Sequence, residues 1–560
     1  MIRKNYFSYL LILLCGAVAS AQTFEWGGRF GGDGEDVVLA MHADTHGNIY
    51  TTGYFTLNCD FDISDNTSTI TTGVEFDCFI QKTASDGTFL WARSIGGASG
   101  DNGTKITTDA DGNVYVTGVF QGTADFDPGA NEFLLTSAGN LDIFVVKLAE
   151  NGNFVWARSF SGTEYEESNG IGVDNDGNVY ISGYFYDPLD FDPGANEFMM
   201  SPAGFGDGFV VKLTPEGNFT WAKKFGGGDF DLATGMKVTP GGDVYISGNF
   251  AAVADFDPSE TETFNLTAGA NANGMFLLHL KSDGDFIKAV KLGESVGEGY
   301  GYAVDVDNAG NAYVTGYFGG ATTITTVAGP VAMNPTTSYN SYVAKIAADG
   351  TVTWAKQLTS TSMSISYAVA VNSLNEVVLT GYFNGTMTLG SASLTENTEN
   401  DSQCFVAKLD TNGNFMWAQQ FGGINFMDRC AITLDSNDNI YLSGAFETTA
   451  DINPHPAQED VVTSAGFRDN YLIKMSNAIL SNPDHEINNT VSLYPNPASN
   501  YITIKLPESS DVKEYSIYDM AGRKVMTGTI ENELNINISE LSNGVYNVLL
   551  GNDSYKLIKE

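Results

Sequence analysis

Residues 178–185 (Asn-Val-Tyr-Ile-Ser-Gly-Tyr-Phe) set apolar side chains against small or polar ones at the two-residue period of a half-buried strand. A shorter run, Gly170 to Asp174, precedes it, and Asn175-Asp176-Gly177 between them carries the Asp-Gly pair that tolerates positive φ in a hairpin turn. A long connection containing Asp190-Phe191-Asp192-Pro193-Gly194 leads to a third run, Gly208 to Leu213. Phe219 to Phe225 then predicts a fourth strand around Trp221. Four strands in about 65 residues make one unit.

The unit recurs. Trp26, Trp91, Trp156 and Trp221 are 65 residues apart, Lys288 takes the next equivalent place, and Trp354 and Trp417 follow at 66 and 63. A second marker keeps step: Gly47 to Gly53, Gly112 to Gly118, Gly177 to Gly183, Gly242 to Gly248, Gly310 to Gly316, then the weaker Asn375 to Gly381 and Asp438 to Gly444. Both markers count seven. Four-stranded units at this period predict propeller blades. The last unit has three strands, ending in Tyr471 to Lys474, and the missing fourth lies at the other end of the chain, where Phe24 to Phe30 matches Phe219 to Phe225 in kind. The N-terminus is therefore expected to finish the last blade and leave no open edge.

Composition agrees with an all-β chain. Charged residues are 17 % and aromatics 12 % of the 560 residues, with 62 glycines. The formal net charge of −41 lies almost wholly between residues 22 and 486. Such a field excludes nucleic acid and anionic membrane surfaces as partners, and it favours cations, basic partners or simple solubility.

Residues 1–21 read as a signal peptide. Arg3 and Lys4 precede the apolar run Leu10 to Leu14, and Ala19-Ser20-Ala21 suits cleavage before Gln22. No later stretch reaches the roughly 18 apolar residues of a spanning helix, so no transmembrane segment is expected. In an exported chain the remaining Cys59, Cys78, Cys404 and Cys430 permit disulfides, and four cysteines allow three pairings. Cys59 with Cys78, inside one repeat, is the more secure expectation.

The motifs Asp-x-x-Gly-Asn-Val-Tyr-Val-Thr-Gly, Asp-x-Phe-Val-x-Lys-Leu and Gly-Asn-x-x-Trp-Ala, recurring in that order over residues 22–476, resemble the bacterial β-propeller repeats abbreviated SBBP. That resemblance implies a propeller fold, here seven-bladed by the count of markers, and no fixed activity. After a polar linker at 477–489, residues 490–560 carry Leu493 to Ala498, Tyr515 to Arg523 and Leu541 to Tyr546, which resemble the C-terminal sorting domain (type A) of type IX secretion cargo. Alternation in Tyr501 to Leu506 and Tyr515 to Tyr518 independently predicts a small immunoglobulin-like β-sandwich. The resemblance implies a chain secreted or attached at the outer-membrane surface, with the type IX machinery as a partner.

Two sets of carboxylates are candidate sites. The connection from each fourth strand to the next first strand carries Asp36, Asp101, Glu166 and Asp231, then Glu298 after an insertion, with Asp428 displaced by one. In a propeller these are expected near the axis on one face, where a ring of oxygens could hold Ca²⁺. The loops between second and third strands carry Asp125 and Asp127, Asp190 and Asp192, and Asp255 and Asp257 on the same face. For both sets the alternative is a turn cap bonding local amides, which these residue types favour.

Enzyme chemistry finds little support. Five histidines give no zinc spacing, and no Ser-His-Asp or phosphate-loop pattern occurs. Arg93 and Arg158 repeat behind successive tryptophans, which suits scaffold. The expectation is a non-enzymatic binding or adhesion module with a glycan or protein ligand. A hydrolase or lyase acting on polysaccharide or glycoprotein from variable loops is the alternative, and fold alone cannot separate the two.

Overall fold

The computed structural model describes residues 23–72, 75–396, 402–423, 430–454, 459–476, 492–506, 513–519, 523–530, 533–550 and 553–559. The expected signal peptide, the linker and Asp428 lie outside these residues. The described chain is strand throughout, with antiparallel pairing within every sheet and no helix. It divides into two compact units, one of them residues 21–478.

In that unit the described strands form antiparallel sheets of four or six strands, with two further two-stranded ones, and each larger sheet contains a run of four neighbouring strands. The first comprises Asp36–Ala43, Ile49–Phe55, Asp77–Thr83 and Phe89–Gly97. Its hairpin register runs from Asp36 opposite Phe55 to Ala43 opposite Ile49. The turn between first and second strands needs a left-handed residue. Gly47, Gly112, Gly177, Gly242 and Gly310 supply it with φ between 78° and 87°, and Asn375 and Asp438 take it up at 59° and 62°. Where the repeat loses its glycine it thus uses the two residues that best tolerate this region, which is why the marker weakens without the turn being lost.

The seventh sheet is Ala431–Leu434, Ile440–Phe446, Asp469–Ser476 and, from the other end of the chain, Thr23–Gly32. The N-terminal strand runs antiparallel to Asp469–Ser476, with Phe24 opposite Met475 and Phe30 opposite Asn470. First strands of successive sheets lie against one another, and Asp36–Ala43 touches both Asn102–Thr108 and Ala431–Leu434.

The core lies between sheets. Tyr115, Val145 and Phe160 of the second sheet pack with Ile181, Phe185 and Phe209 of the third. Phe30 and Leu472 of the seventh pack in the same way with Val38, Phe55 and Phe79 of the first. Burying each such side chain stabilises the fold by about 1.5–3 kcal/mol. The repeated tryptophans bridge boundaries: Trp91 Nε1 donates to the Glu150 carbonyl at 3.1 Å, Trp156 to Pro215 at 3.0 Å and Trp221 to Ser282 at 3.3 Å. Lys288 donates to the Ala348 carbonyl from the equivalent place. Arg93 and Arg158 bond carbonyls of the same neighbouring hairpins.

The expectation for the cysteines is corrected. Cys404 and Cys430 form the disulfide, and Cys59 and Cys78 are free and buried. Cys59 sits on the short strand Asn58–Asp60, which leaves its own sheet to pair with the N-terminal strand, Cys59 facing Gly32. Its core neighbours include Phe30 and Phe61, whereas Cys78 packs with Ile80 and Ile106 on the other side of the first sheet.

The second unit has two antiparallel sheets. One holds Ser492–Tyr494, Tyr501–Lys505 and Glu533–Asn537, and the other holds Lys513–Asp519, Lys524–Ile530, Gly544–Leu550 and Asp553–Lys559. Ile502, Ile504 and Ile536 of one sheet share a core with Ile517, Val548 and Leu557 of the other.

Candidate functional site

Asp36, Asp101, Glu166 and Asp231 begin, or immediately precede, the first strands of four sheets and are at most 1 % exposed. One carboxylate oxygen of each aspartate caps the end of the preceding fourth strand: the Gly32 amide donates to Asp36 at 2.7 Å, Gly97 to Asp101 at 2.8 Å and Gly227 to Asp231 at 2.5 Å. The structure places these residues between sheets, where each aspartate acts as the local turn cap that was the alternative to a ring of oxygens. Glu298 departs further: it is exposed, and Gly299 occupies the first-strand position, opposite Phe318 as Asp231 is opposite Phe250. The insertion before it moved the alignment by one residue.

Each buried carboxylate faces a second one that sequence reading missed. Asp469, Asp77, Asp142 and Asp207 begin the third strands of the preceding sheets and raise the pKa of Asp36, Asp101, Glu166 and Asp231 respectively. A methyl group on Gly226 would meet Asp207 Oδ1 at 2.6 Å and Asp231 Oδ2 at 3.0 Å, so the glycine holds the pair close. Burial first, then like charge, pushes Asp36 and Glu166 up to about 8; Asp101 and Asp231 rise to about 7. Burial likewise raises Asp77, Asp142 and Asp207. The signal was present in the sequence as the aspartate that opens each Asp-x-Phe-Val-x-Lys-Leu motif.

Two of these pairs have a cation and two do not. Arg29 bonds Asp469, and Lys224 bonds Asp207 at 3.0 Å. At the equivalent fourth-strand positions the other boundaries carry Ser94 and Ser159. Both oxygens of Glu166 and one of Asp142 are buried without a hydrogen-bond partner among the described residues. No cluster of three or more His, Cys, Asp or Glu suited to a metal occurs among those residues.

The second candidate set consists of turn caps. Asp125 accepts the amides of Asp127 at 3.0 Å and Phe133 at 2.8 Å, Asp190 those of Asp192 and Phe198, and Asp255 those of Asp257 and Phe264. Asp127, Asp192 and Asp257 each accept a further amide two residues on.

The cavity that the first strands enclose was not anticipated. It measures about 470 Å³ and is lined from all seven sheets, by residues such as Ala40, Ile106, Gly170, Gly235, Val304 and Ala431. Six first strands carry a bulge there, and its extra residue is Leu39, Thr104, Asn169, Thr234, Tyr302 or Tyr367. Thr104 and Thr234 tie their strand to the next by donating to the Ser168 and Gly301 carbonyls, each at 2.7 Å. Tyr302 and Tyr367 instead meet edge to face, with ring centroids 4.9 Å apart. Tyr300 packs on Tyr317 at 5.1 Å, and Tyr184 donates to the Glu167 carboxylate. The lining positions that follow the bulge stay small or apolar in most sheets, as at Ala40-Met41, Gly170-Ile171, Gly235-Met236 and Ala303-Val304, whereas the bulge position varies from sheet to sheet. This break in the period was the signal for the site.

Comparison with known proteins agrees with the two-part organisation. The chain carries a Beta-propeller repeat at residues 90–119 and a Secretion system C-terminal sorting domain at residues 492–560. That tail implies export to the cell surface or beyond, through the type IX machinery. An uncharacterized WD repeat-containing protein of Acanthamoeba polyphaga mimivirus is 22 % identical over 439 residues, which are 65 % of this chain and 31 % of that protein. The chain thus spans about a third of that relative's length. Among solved structures, a fungal alcohol oxidase of the AA5 family in complex with copper is 13 % identical, with coverage of 96 % and 99 % and a TM-score of 0.34. A GH43_12 protein from a capybara gut metagenome is 10 % identical, with coverage of 96 % and 95 % and a TM-score of 0.23.

Proposed function

We propose that residues 22–476 form a closed seven-bladed propeller, joined by the linker at 477–489 to an immunoglobulin-like sorting domain at 490–560. In this reading the chain is a non-enzymatic binding module, released or attached at the outer-membrane surface. Closure is supported by the pairing of Thr23–Gly32 with Asp469–Ser476 and by the contact of Asp36–Ala43 with Ala431–Leu434. The observation that carries the binding role is the cavity. In an array whose turns, tryptophans and caps are repeated, the bulge position facing this space changes from Leu39 through Thr104, Asn169 and Thr234 to Tyr302 and Tyr367. Divergence at a concave site is what ligand selection produces on a repeated scaffold.

The alternative of a polysaccharide hydrolase has a narrower basis. Glu167 is the one carboxylate among the described residues lining the cavity, and glycoside hydrolysis ordinarily uses two. The buried carboxylate pairs are structural in this reading, and Ca²⁺ is the cation their oxygen-only chemistry suits. The test is a glycan and peptide array probed with the mature chain and with its Tyr302→Ala/Tyr367→Ala variant. Retention lost in the variant supports a site in the cavity. Equal retention by both places the ligand elsewhere, and release of shortened glycans would favour the hydrolase.

A further inference from the structure

We infer that the ligand of this cavity carries an organic cation, an ammonium group seated against the tyrosine walls beside Glu167. The inference rests on the binding-module reading and adds the chemical class of what is bound.

Three observations converge on a cation. The first is the wall itself. Tyr302 and Tyr367 stand at an interplanar angle of 78°, Tyr367 continues to Tyr382 at 5.7 Å, and Tyr317 meets Tyr339 at 5.4 Å and 77°. Of these rings, those of Tyr302, Tyr317 and Tyr367 line the cavity together with Tyr184, Tyr300 and Glu167, and the face of an aromatic ring is its negative side.

The second is the carboxylates that act on these tyrosines. Tyr184 and Tyr165 both donate to Glu167, the latter at 3.5 Å. Glu298 raises the pKa of Tyr300, Tyr317 and Tyr339, in each case after burial. These phenols therefore keep their protons, and the rings remain neutral faces in a negative field. Glu298, which failed as a member of the buried carboxylate set, has its part here. Tyr186 also bears on Tyr300, which links the tyrosines of the third sheet to those of the fifth.

The third is the charge of the whole chain, −41, which draws cations toward the molecule and repels anions. One feature of the lining opposes them: Lys105 stands in the same wall. Its positive charge opposes a second cation in the same space, which gives the proposal a second handle.

Choline and its uncharged carbon isostere, dimethylbutanol, are the probes, titrated calorimetrically into the mature chain. Choline is expected to bind and the isostere to bind at least tenfold more weakly. Removing two ring faces with Tyr302→Ala/Tyr367→Ala should weaken choline by about tenfold. Tyr302→Phe/Tyr367→Phe should retain it. Lys105→Met should tighten choline and leave the isostere unchanged. Raising the salt concentration should weaken binding of the cation. Equal affinity for both probes, or choline binding indifferent to the phenylalanine, alanine and Lys105 variants alike, overturns the cation. A glycan retained on the array through Tyr302 and Tyr367, with choline unbound, leaves the binding module standing and rejects only its cationic ligand. If neither probe nor any array ligand depends on these tyrosines, both readings fall.

Discussion

The indole Nε1 of Trp26 donates to the Ser85 carbonyl at 3.2 Å, joining the N-terminal strand to a hairpin of the first sheet. Lys474 Nζ reaches the same carbonyl at 3.1 Å from the last strand of the seventh sheet. The boundary between seventh and first sheets is thus built like the boundary at Trp91 and Glu150. Trp417 gives the complement. Its hairpin acceptor would lie between the third and fourth strands of the seventh sheet, where the chain is interrupted between Ser476 and Thr23, and its Nε1 is buried without a partner among the described residues.

Removing Gln22 to Phe30 should therefore destabilise the whole first unit. Phe30→Ala alone should cost about 3–5 kcal/mol, as for a buried core aromatic. Trp91→Phe should cost about 1 kcal/mol for the lost hydrogen bond and Trp417→Phe less. Denaturant midpoints of the variants measure this. A truncated chain that melts like the intact one would mean that the N-terminal strand closes nothing.

The cysteines predict a thiol count. Burial raises the pKa of both Cys59 and Cys78, so neither is expected to react in the folded protein. Unfolding without reductant should expose two reactive thiols per mature chain. Reducing the Cys404–Cys430 bond, which closes 26 residues, should cost about 3 kcal/mol. Four reactive thiols after unfolding without reductant would contradict the pairing.

The seven-fold repeat was legible because the residues that make its turns and boundaries recur at fixed spacing. Even the weaker markers, Asn375 and Asp438, kept the left-handed turn. What escaped the sequence depends on neighbours in another sheet. Asp142 and Glu166 are 24 residues apart in sequence and belong to different sheets, so no periodicity within one repeat connects them. Cys59 was misassigned for the same reason, since its strand crosses to the neighbouring sheet. Tyr302 and Tyr367 were invisible to a search for regularity because they matter where the regularity fails.

Passage across the outer membrane should depend on residues 490–560. A chain ending at Ser476 keeps every strand of the first unit and lacks the sorting domain matched at 492–560. In a host with type IX secretion it should fold and remain inside the outer membrane. Immunodetection on intact cells reads the result, and surface display of the shortened chain would refute the sorting role.

Stability should fall as the pH rises from about 4 to 8. The pKa values of Asp36, Asp101, Glu166 and Asp231 lie above their unfolded values, so over this range the folded state binds more protons than the unfolded one. Their contribution is complete below the unfolded pKa and is lost as the pH passes about 7 to 8. Asp44 and Asp307 act oppositely. Burial tends to raise them, but amide and side-chain bonds from Asn48 and Tyr50, and from Asn311 and Tyr313, outweigh it and hold them low, so acid below about pH 4 also destabilises. Glu166→Gln should flatten the alkaline limb and gain about 1–3 kcal/mol at pH 8. A stability curve that rises from pH 5 to 8 would reject the assignment.

Calcium provides the last test, because an ionised pair can be neutralised by a cation as well as by a proton. Arg29 and Lys224 already do this at two boundaries, so the effect is expected at the boundaries carrying Ser94 and Ser159, above all between Asp142 and Glu166. At pH 8 millimolar Ca²⁺ should raise the melting temperature relative to chelator, and at pH 5 protons should occupy the pairs and remove most of the effect. Binding to the folded state alone contributes about 2.7 kcal/mol at a hundredfold excess over the dissociation constant. Asp142→Asn/Glu166→Gln should abolish the rise, because it removes the charge that the ion would balance. Asp125→Asn/Asp190→Asn should leave it intact, because those carboxylates are engaged with backbone amides. The opposite ranking would move the cation to the Asp-Pro loops. An unchanged melting curve at pH 8 would leave the pairs to be held together by protons alone.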